Sequence, residues 1–266
     1  MPIDRDAAIQ TIAFLGLDFA NLDLESALKQ TVILSQRSDF TFIVTPNVDH
    51  VVKLHKNPST ALTLAYRSAY DAAGLRLCDS RILARLARMM GLRLPVVAGS
   101  DLTAALFRRE LCEADKVAII GGGADIVARL VQLFPRPDFV QHLPPMGVVS
   151  NPEAIKDTVD FVGRTQANYT FFAIGSPQSE IIAAECERSG RAKGVGLCIG
   201  ASIDFLVGDQ QRAPHWVQSI GFEWAYRLIS QPRRLWRRYL IEGPRIFWIA
   251  ARWHWSGRPI RYDLGA

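Results

Sequence analysis

Between residues 40 and 199, short apolar runs alternate with helix-type stretches, and most runs end in a turn of glycine, proline or small polar residues. Phe40–Val44 leads into Thr45-Pro46-Asn47, and residues 75–78 lead into Asp79-Ser80. Residues 95–98 precede Gly99-Ser100-Asp101, residues 116–120 precede Gly121-Gly122-Gly123, and residues 169–174 precede Gly175-Ser176-Pro177. Asp138–His142 and residues 194–199 complete the series, and residues 11–15 form a further β-leaning run near the start. Helices are expected between the runs, the first capped by Asp23 and later ones stopped by Gly74 and Gly91. Strands alternating with helices at this spacing predict βαβ units and a mainly parallel sheet with helices on both faces, a Rossmann-like α/β fold. Right-handed crossovers then bring the turns that follow the strands to one edge of the sheet. Open α/β sheets bind their ligands at that edge.

The chain has 266 residues, 49% of them hydrophobic, enough for one large domain with an appendage. No cationic segment followed by an apolar core marks a secretory leader, and no apolar run reaches the roughly 18 residues that span a bilayer. Cys78, Cys112, Cys186 and Cys198 are dispersed, which disfavours a disulfide framework or a zinc site and suits a reducing cytoplasm.

The last 60 residues differ in kind. Residues 207–266 hold ten arginines and no lysine against four acids, and all six tryptophans lie there. The net charge of +5 for the whole chain therefore comes from this segment. Trp216, Ile220, Trp224 and Leu228 recur every fourth residue, one apolar helical stripe. Arg233, Arg234, Arg237 and Arg238 form a basic face opposite Leu235, Trp236, Tyr239 and Leu240. Pro244 interrupts before a second aromatic-rich segment, residues 246–255. A basic amphipathic helix with tryptophans suits a membrane surface; the plainer reading is a stripe packed on the core with its arginines in solvent. Nucleic acid is disfavoured, because the sheet region is near neutral and no recognition motif is present. The division expected is a Rossmann-like domain over residues 1–206 and a helical basic and aromatic appendage over residues 207–266.

The turns themselves carry the candidate chemistry. Gly121-Gly122-Gly123 between a strand and a helix is either a phosphate cradle of backbone N–H groups or simply a tight connection. Neither a Walker lysine nor the glycine spacing of a dinucleotide site accompanies it, which disfavours a nicotinamide dehydrogenase. Asp79 is either the N-cap of the helix that follows it or a general base at the pocket edge. Ser100 and Asp101 carry the same two readings. Gly175, Ser176 and Pro177 start a helix whose Gln178 and Glu180 are placed to meet sugar hydroxyls. No Asp-x-Asp ends a strand, the five histidines do not cluster, and no Gly-x-Ser-x-Gly elbow is present. Neither a metal nor a cofactor is expected.

Taken in order, these residues resemble the WecG/TagA/CpsF family of bacterial glycosyltransferases. The resemblance runs from about Phe40 to Tyr239. It rests on Thr45-Pro46-Asn47 with His50, Asp79, Ala98-Gly99-Ser100-Asp101, Gly121–Gly123, Gly175-Ser176-Pro177 with Glu180, and Asp204-Phe205-Leu206 with Gly208. It continues through Arg212-Ala213-Pro214 with Trp216 and Gln218, Glu223-Trp224 with Tyr226-Arg227, and the block from Pro232 to Tyr239. The resemblance implies a cytoplasmic enzyme on the inner face of the plasma membrane. Such an enzyme transfers a hexose or N-acetylhexosamine from a UDP-sugar to a polyprenyl-diphosphate-linked acceptor, with inversion and without an obligatory metal. Its products feed teichoic acid, capsule or exopolysaccharide synthesis. Asp79 matches the carboxylate that deprotonates the acceptor hydroxyl. Thr45, Asn47, Ser100, Asp101, Asp204 and the glycine turns match the pocket wall, and Arg212 and Arg227 are candidates for the leaving diphosphate. Arg233, Arg234, Trp236, Arg237 and Arg238 would meet the lipid diphosphate or anionic head groups. Assembly into a homo-oligomer stays open.

Four positions depart from the family pattern: Ser80 replaces a glycine, Val96 an arginine, Gln178-Ser179 a Lys-Gln pair, and Gly200-Ala201-Ser202-Ile203-Asp204 a Gly-Gly-Ala-Phe-Asp segment. The loss of two cations favours a neutral sugar over a uronic acid. The reading from another class is a non-catalytic Rossmann-like module that binds nucleotide or lipid at the membrane surface.

Overall fold

The computed structural model of the chain describes residues 9–56, 60–208, 214, 223–230 and 232–256. Six strands, β3 (Phe40–Val44), β4 (Leu75–Arg76), β5 (Lys116–Gly121), β6 (Asp138–His142), β7 (Tyr169–Ala173) and β8 (Gly194–Cys198), pair in one wholly parallel sheet. Their order is β4-β3-β8-β7-β5-β6. Adjacent residues of the central strands enter opposite layers, as a pleat with period two requires. Phe42, Val44, Ile120, Phe172 and Cys198 belong to one core cluster, and Ile43, Ile119, Phe171 and Leu197 to the other.

Helices cover both faces. On the first lie α2 (Val48–Leu54), α3 (Ala61–Ala72), α4 (Arg81–Met89), α7 (Pro152–Thr165) and α8 (Gln178–Arg188). On the second lie α1 (Leu24–Ser35), α5 (Gly99–Ala105), α6 (Ile126–Leu133) and α9 (Ser202–Leu206). Asp23 caps α1 as expected, its Oδ1 accepting from the Ser26 N–H at 2.8 Å.

Four expectations need correction. The first β-leaning run is half of an antiparallel hairpin, β1 (Thr11–Phe14) with β2 (Leu17–Ala20). Its two-residue turn puts both Leu15 (φ 51°) and Gly16 (φ 80°) in the left-handed region, a conformation that leucine does not advertise. Residues 95–98 lie outside the sheet. Pro95 has no N–H to offer a ladder, and the Val97 N–H makes a single bond, to the Cys78 carbonyl at 2.9 Å. The strand expected over 75–78 is only Leu75–Arg76. Gly74 does not stop α3 in a left-handed cap. It is small because a Cβ there would lie 2.3 Å from Thr41 Oγ1.

The tail is partly joined to the sheet domain. Beyond α10 (Glu223–Ser230), α11 (Pro232–Trp236) and a wider turn over Arg237–Glu242 comes α12 (Arg245–Trp255). Ile246, Ile249 and Ala250 of α12 are buried in the first core cluster. Trp253 stands edge-on to Phe14 at 5.3 Å, and Lys56 pairs with Glu242 at 3.0 Å. The 216–228 stripe falls largely outside the described residues. Among the described residues no helix is long and apolar enough to cross a membrane.

Candidate active site

Register sets the geometry of the edge. Val44 is aligned with Arg76 on one side and Cys198 on the other, Phe172 with Cys198, and Gly121 with Ala173. The segments after β3, β4, β8, β7 and β5 therefore leave the sheet side by side.

Thr45 follows β3, between the ends of β4 and β8. It is buried, and its Oγ1 donates to the Cys198 carbonyl at 3.3 Å. Gly99 passes so close that a Cβ there would sit 3.0 Å from the same Oγ1. That approach seats the first turn of α5, with Ser100 and Asp101, against the Thr45 turn. Asp79 is tied to the other side: its N–H donates to the Pro46 carbonyl at 3.0 Å. Asn47 caps α2, its Oδ1 accepting from the Asp49 and His50 N–H groups. Thr45, Asn47, Asp79, Ser100 and Asp101 are thus brought together.

The structure excludes the helix cap as the role of Asp79. The N-cap of α4 is Ser80, whose Oγ accepts from the Leu83 N–H at 3.2 Å. Ser80 takes the capping role, and the half-buried Asp79 stands one residue outside the cap. The N-cap position of α5 is likewise Ala98, with no side-chain cap bond, so neither Ser100 nor Asp101 serves there.

Gly121 packs against the end of β7, and Gln141 of β6 donates through Nε2 to both the Gly121 carbonyl at 2.9 Å and the Gly123 carbonyl at 2.8 Å. Two residues intervene before α6 begins at Ile126, so the turn does not feed directly into a helix. Asp204 lies on α9, which packs beside α5. Arg212 lies outside the described residues, and of the Arg227, Arg234 and Arg238 side chains nothing is described. Arg233 and Arg237 are exposed, and the Arg237 guanidinium sits 5.8 Å from the Trp236 ring centre.

Beneath the Gly175–Pro177 turn lies a polar cluster that motif reading did not assemble. Glu180 is 2% exposed, turned into the protein rather than toward a ligand. Ser176 and the Glu180 N–H hydrogen-bond its carboxyl, while Oε2 has no hydrogen-bond partner. Burial pushes the Glu180 carboxyl up to about 7. Lys53 of α2 approaches the turn, its Nζ 3.3 Å from the Ser176 carbonyl and 2.8 Å from Asp49 Oδ2. Ser176 Oγ meets the Tyr66 hydroxyl at 2.8 Å, Tyr66 lies 3.5 Å from the Tyr70 hydroxyl, and Tyr70 meets His50 Nδ1 at 3.0 Å. Burial raises both tyrosines well above the usual phenol range, so they act as neutral hydroxyls. Asp49 and Lys53, like Tyr66 and Tyr70, are four residues apart on one helix face, a signal visible in the sequence. What the sequence did not indicate is that those two faces meet across Ser176. Among the described residues no group of three or more His, Cys, Asp or Glu is placed to hold a metal ion.

An edge that joins a carboxylate, small hydroxyl and amide side chains and two glycine turns can hold a polyhydroxylated, phosphorylated ligand and accept a proton from it. Residues 12–259 match the family described as Glycosyl transferase WecG/TagA/CpsF.

Proposed function

Because the chain belongs to the WecG/TagA/CpsF family of glycosyl transferases, whose members act in cell-surface polysaccharide synthesis, we propose a specific transfer. It moves a hexose or N-acetylhexosamine from a UDP-sugar to a polyprenyl-diphosphate-linked acceptor, with inversion. The observation that carries this reading is Asp79, held by its N–H at the Pro46 carbonyl beside Thr45 and Asn47 while Ser80 takes the helix cap.

Asp79 removes the proton from the acceptor hydroxyl as that oxygen attacks the anomeric carbon from the face opposite the UDP. Thr45, Asn47, Ser100 and Asp101 hold the sugars. Charge develops on the departing diphosphate, and backbone N–H groups of the Gly121–Gly123 and Gly175–Ser176 turns, with Arg212 and Arg227, compensate it. The test is a panel of UDP-hexoses and UDP-N-acetylhexosamines with polyprenyl-diphosphate-linked acceptors, read by mass spectrometry. One donor is expected to extend the lipid by one sugar. No transfer and no UDP binding across the panel would refute the reading.

The acceptor is lipid-borne, so the enzyme works at the inner face of the plasma membrane. The tail supports this: Arg233 and Arg237 are exposed beside Trp236, Leu240 and Ile241, which are also exposed. Each arginine near an anionic surface contributes about 1 kcal/mol. Replacing Arg233 and Arg237 together by Gln is therefore expected to weaken binding to phosphatidylglycerol vesicles roughly tenfold to thirtyfold. Co-sedimentation measures it, and unchanged binding would remove these two residues from the membrane-facing surface.

A further inference from the structure

The cluster under the Gly175–Pro177 turn contains two carboxylates, Asp49 and Glu180, and one ammonium, Lys53. It sits directly below a turn with free space above it: a Cβ on Gly175 would meet nothing within 4 Å. Resting on the reading of that turn as part of the donor site, we propose that Glu180 is a proton-carrying positioning residue, and that the cluster takes up a proton when the diphosphate of UDP occupies the turn.

The argument starts from the burial of Glu180. Its neighbours from α2 are Asp49, His50 and Lys53, from α3 Tyr66 and Tyr70, from β8 Cys198, and from its own turn Ser176. From α7, on its other flank, the buried side chains are Ala154, Thr158, Val159 and Val162, none of which titrates near neutral pH. The tyrosines and the thiol stay neutral, because burial raises each well above its ordinary range. Lys53 is therefore the cation of this set nearest to both carboxylates, and it is already in contact with Asp49. A carboxylate oxygen without a hydrogen-bond partner, in a site this dry, favours the protonated form. A ligand anion placed above Ser176 pushes the same way.

The fully buried carboxyl also has a route to solvent. Ser176, Tyr66 and Tyr70 form a line of hydroxyls that ends at the half-buried His50. Through this line, or through opening of the turn, the proton exchanges without unfolding. Glu180 touches no substrate in this arrangement. It acts through Ser176, setting the charge under the turn.

The experiment is calorimetric titration of the full chain with UDP, at pH values from 5.5 to 8.5, in two buffers of different ionisation enthalpy. The wild type is expected to take up about half a proton at pH 7 and close to none at pH 5.5, where Glu180 is already protonated. Glu180→Gln is expected to bind UDP with that uptake removed; the ionisation of UDP itself is common to both proteins and cancels. The two should bind alike at pH 6, and the wild type up to about tenfold more weakly than Glu180→Gln at pH 8. Ser176→Ala, a change at a half-buried position, removes a hydrogen bond to the charged form and should move the uptake maximum to higher pH. Equal proton uptake by the wild type and Glu180→Gln, with UDP bound by both, overturns the inference alone. An unmoved maximum in Ser176→Ala overturns the coupling through Ser176. Absence of UDP binding by the wild type overturns the donor-site reading and this inference with it.

Discussion

Asp79→Asn is expected to lower the rate of sugar transfer about 10²- to 10⁴-fold while leaving UDP binding and thermal stability close to those of the wild type. The amide keeps the volume and shape of the carboxylate but cannot accept the acceptor's proton. Two contacts of this segment do not depend on the carboxylate. The backbone bond from residue 79 to the Pro46 carbonyl does not involve the side chain. The cap of α4 belongs to Ser80, so the helix end is untouched. The comparison that isolates the effect is single-turnover transfer with saturating donor and lipid acceptor, alongside UDP titration and a melting curve. Turnover within a few-fold of wild type would show that another group takes the proton. A matching fall in stability would show that the side chain is structural after all.

Why the place of Asp79 at the sheet edge was legible in the sequence, and that of Lys53 was not, follows from the range of the forces involved. A short strand followed three residues later by a carboxylate and then a helix is a local pattern, carried by residues 75–81, and the parallel topology fixes which edge it faces. The strands over Phe40–Val44 and Asp138–His142 are local in the same sense and lie at the bounds expected. The hairpin was missed because its turn uses Leu15, and the segment over 95–98 was mistaken for a strand because its apolar residues outweighed the missing N–H of Pro95. The polar cluster is a different case. Lys53, Tyr66 and the Ser176–Glu180 segment come from three separate stretches of chain, and only the packing of α3 against α8, with α2 beside α3, brings them together. The tail was legible in composition and mixed in outcome. Ile246, Ile249 and Ala250 joined the core, whereas Phe247, Trp248 and Trp255 on the same helix stayed exposed. A single aromatic stripe reads as either a packing face or an outward face, and α12 presents one buried and one exposed.

Replacing Gly121 by Ala should be the most damaging small change at the site, lowering stability by about 2–5 kcal/mol. Two effects add. Residue 121 has φ +91°, a backbone conformation that an L side chain adopts only under strain. The new methyl would also lie 2.5 Å from Ile174 Cγ2 and 3.0 Å from the Ala173 carbonyl oxygen. The backbone cannot easily turn away, because Gln141 holds the carbonyls of Gly121 and Gly123 together. Relief therefore comes by pushing Ile174, and with it the Gly175–Ser176 turn, away from β5, so UDP affinity should fall with stability. Gly175→Ala is the control. Its φ is +77°, but its Cβ would meet nothing within 4 Å, so only the conformational strain remains, about 1–2 kcal/mol. Melting curves of the two variants separate the causes. A clearly larger loss in Gly121→Ala assigns the excess to the contact between β5 and β7, the contact that sets the two glycine turns side by side. Equal losses would mean that the strand ends yield at little cost, and that the spacing of the turns is not what the glycine protects.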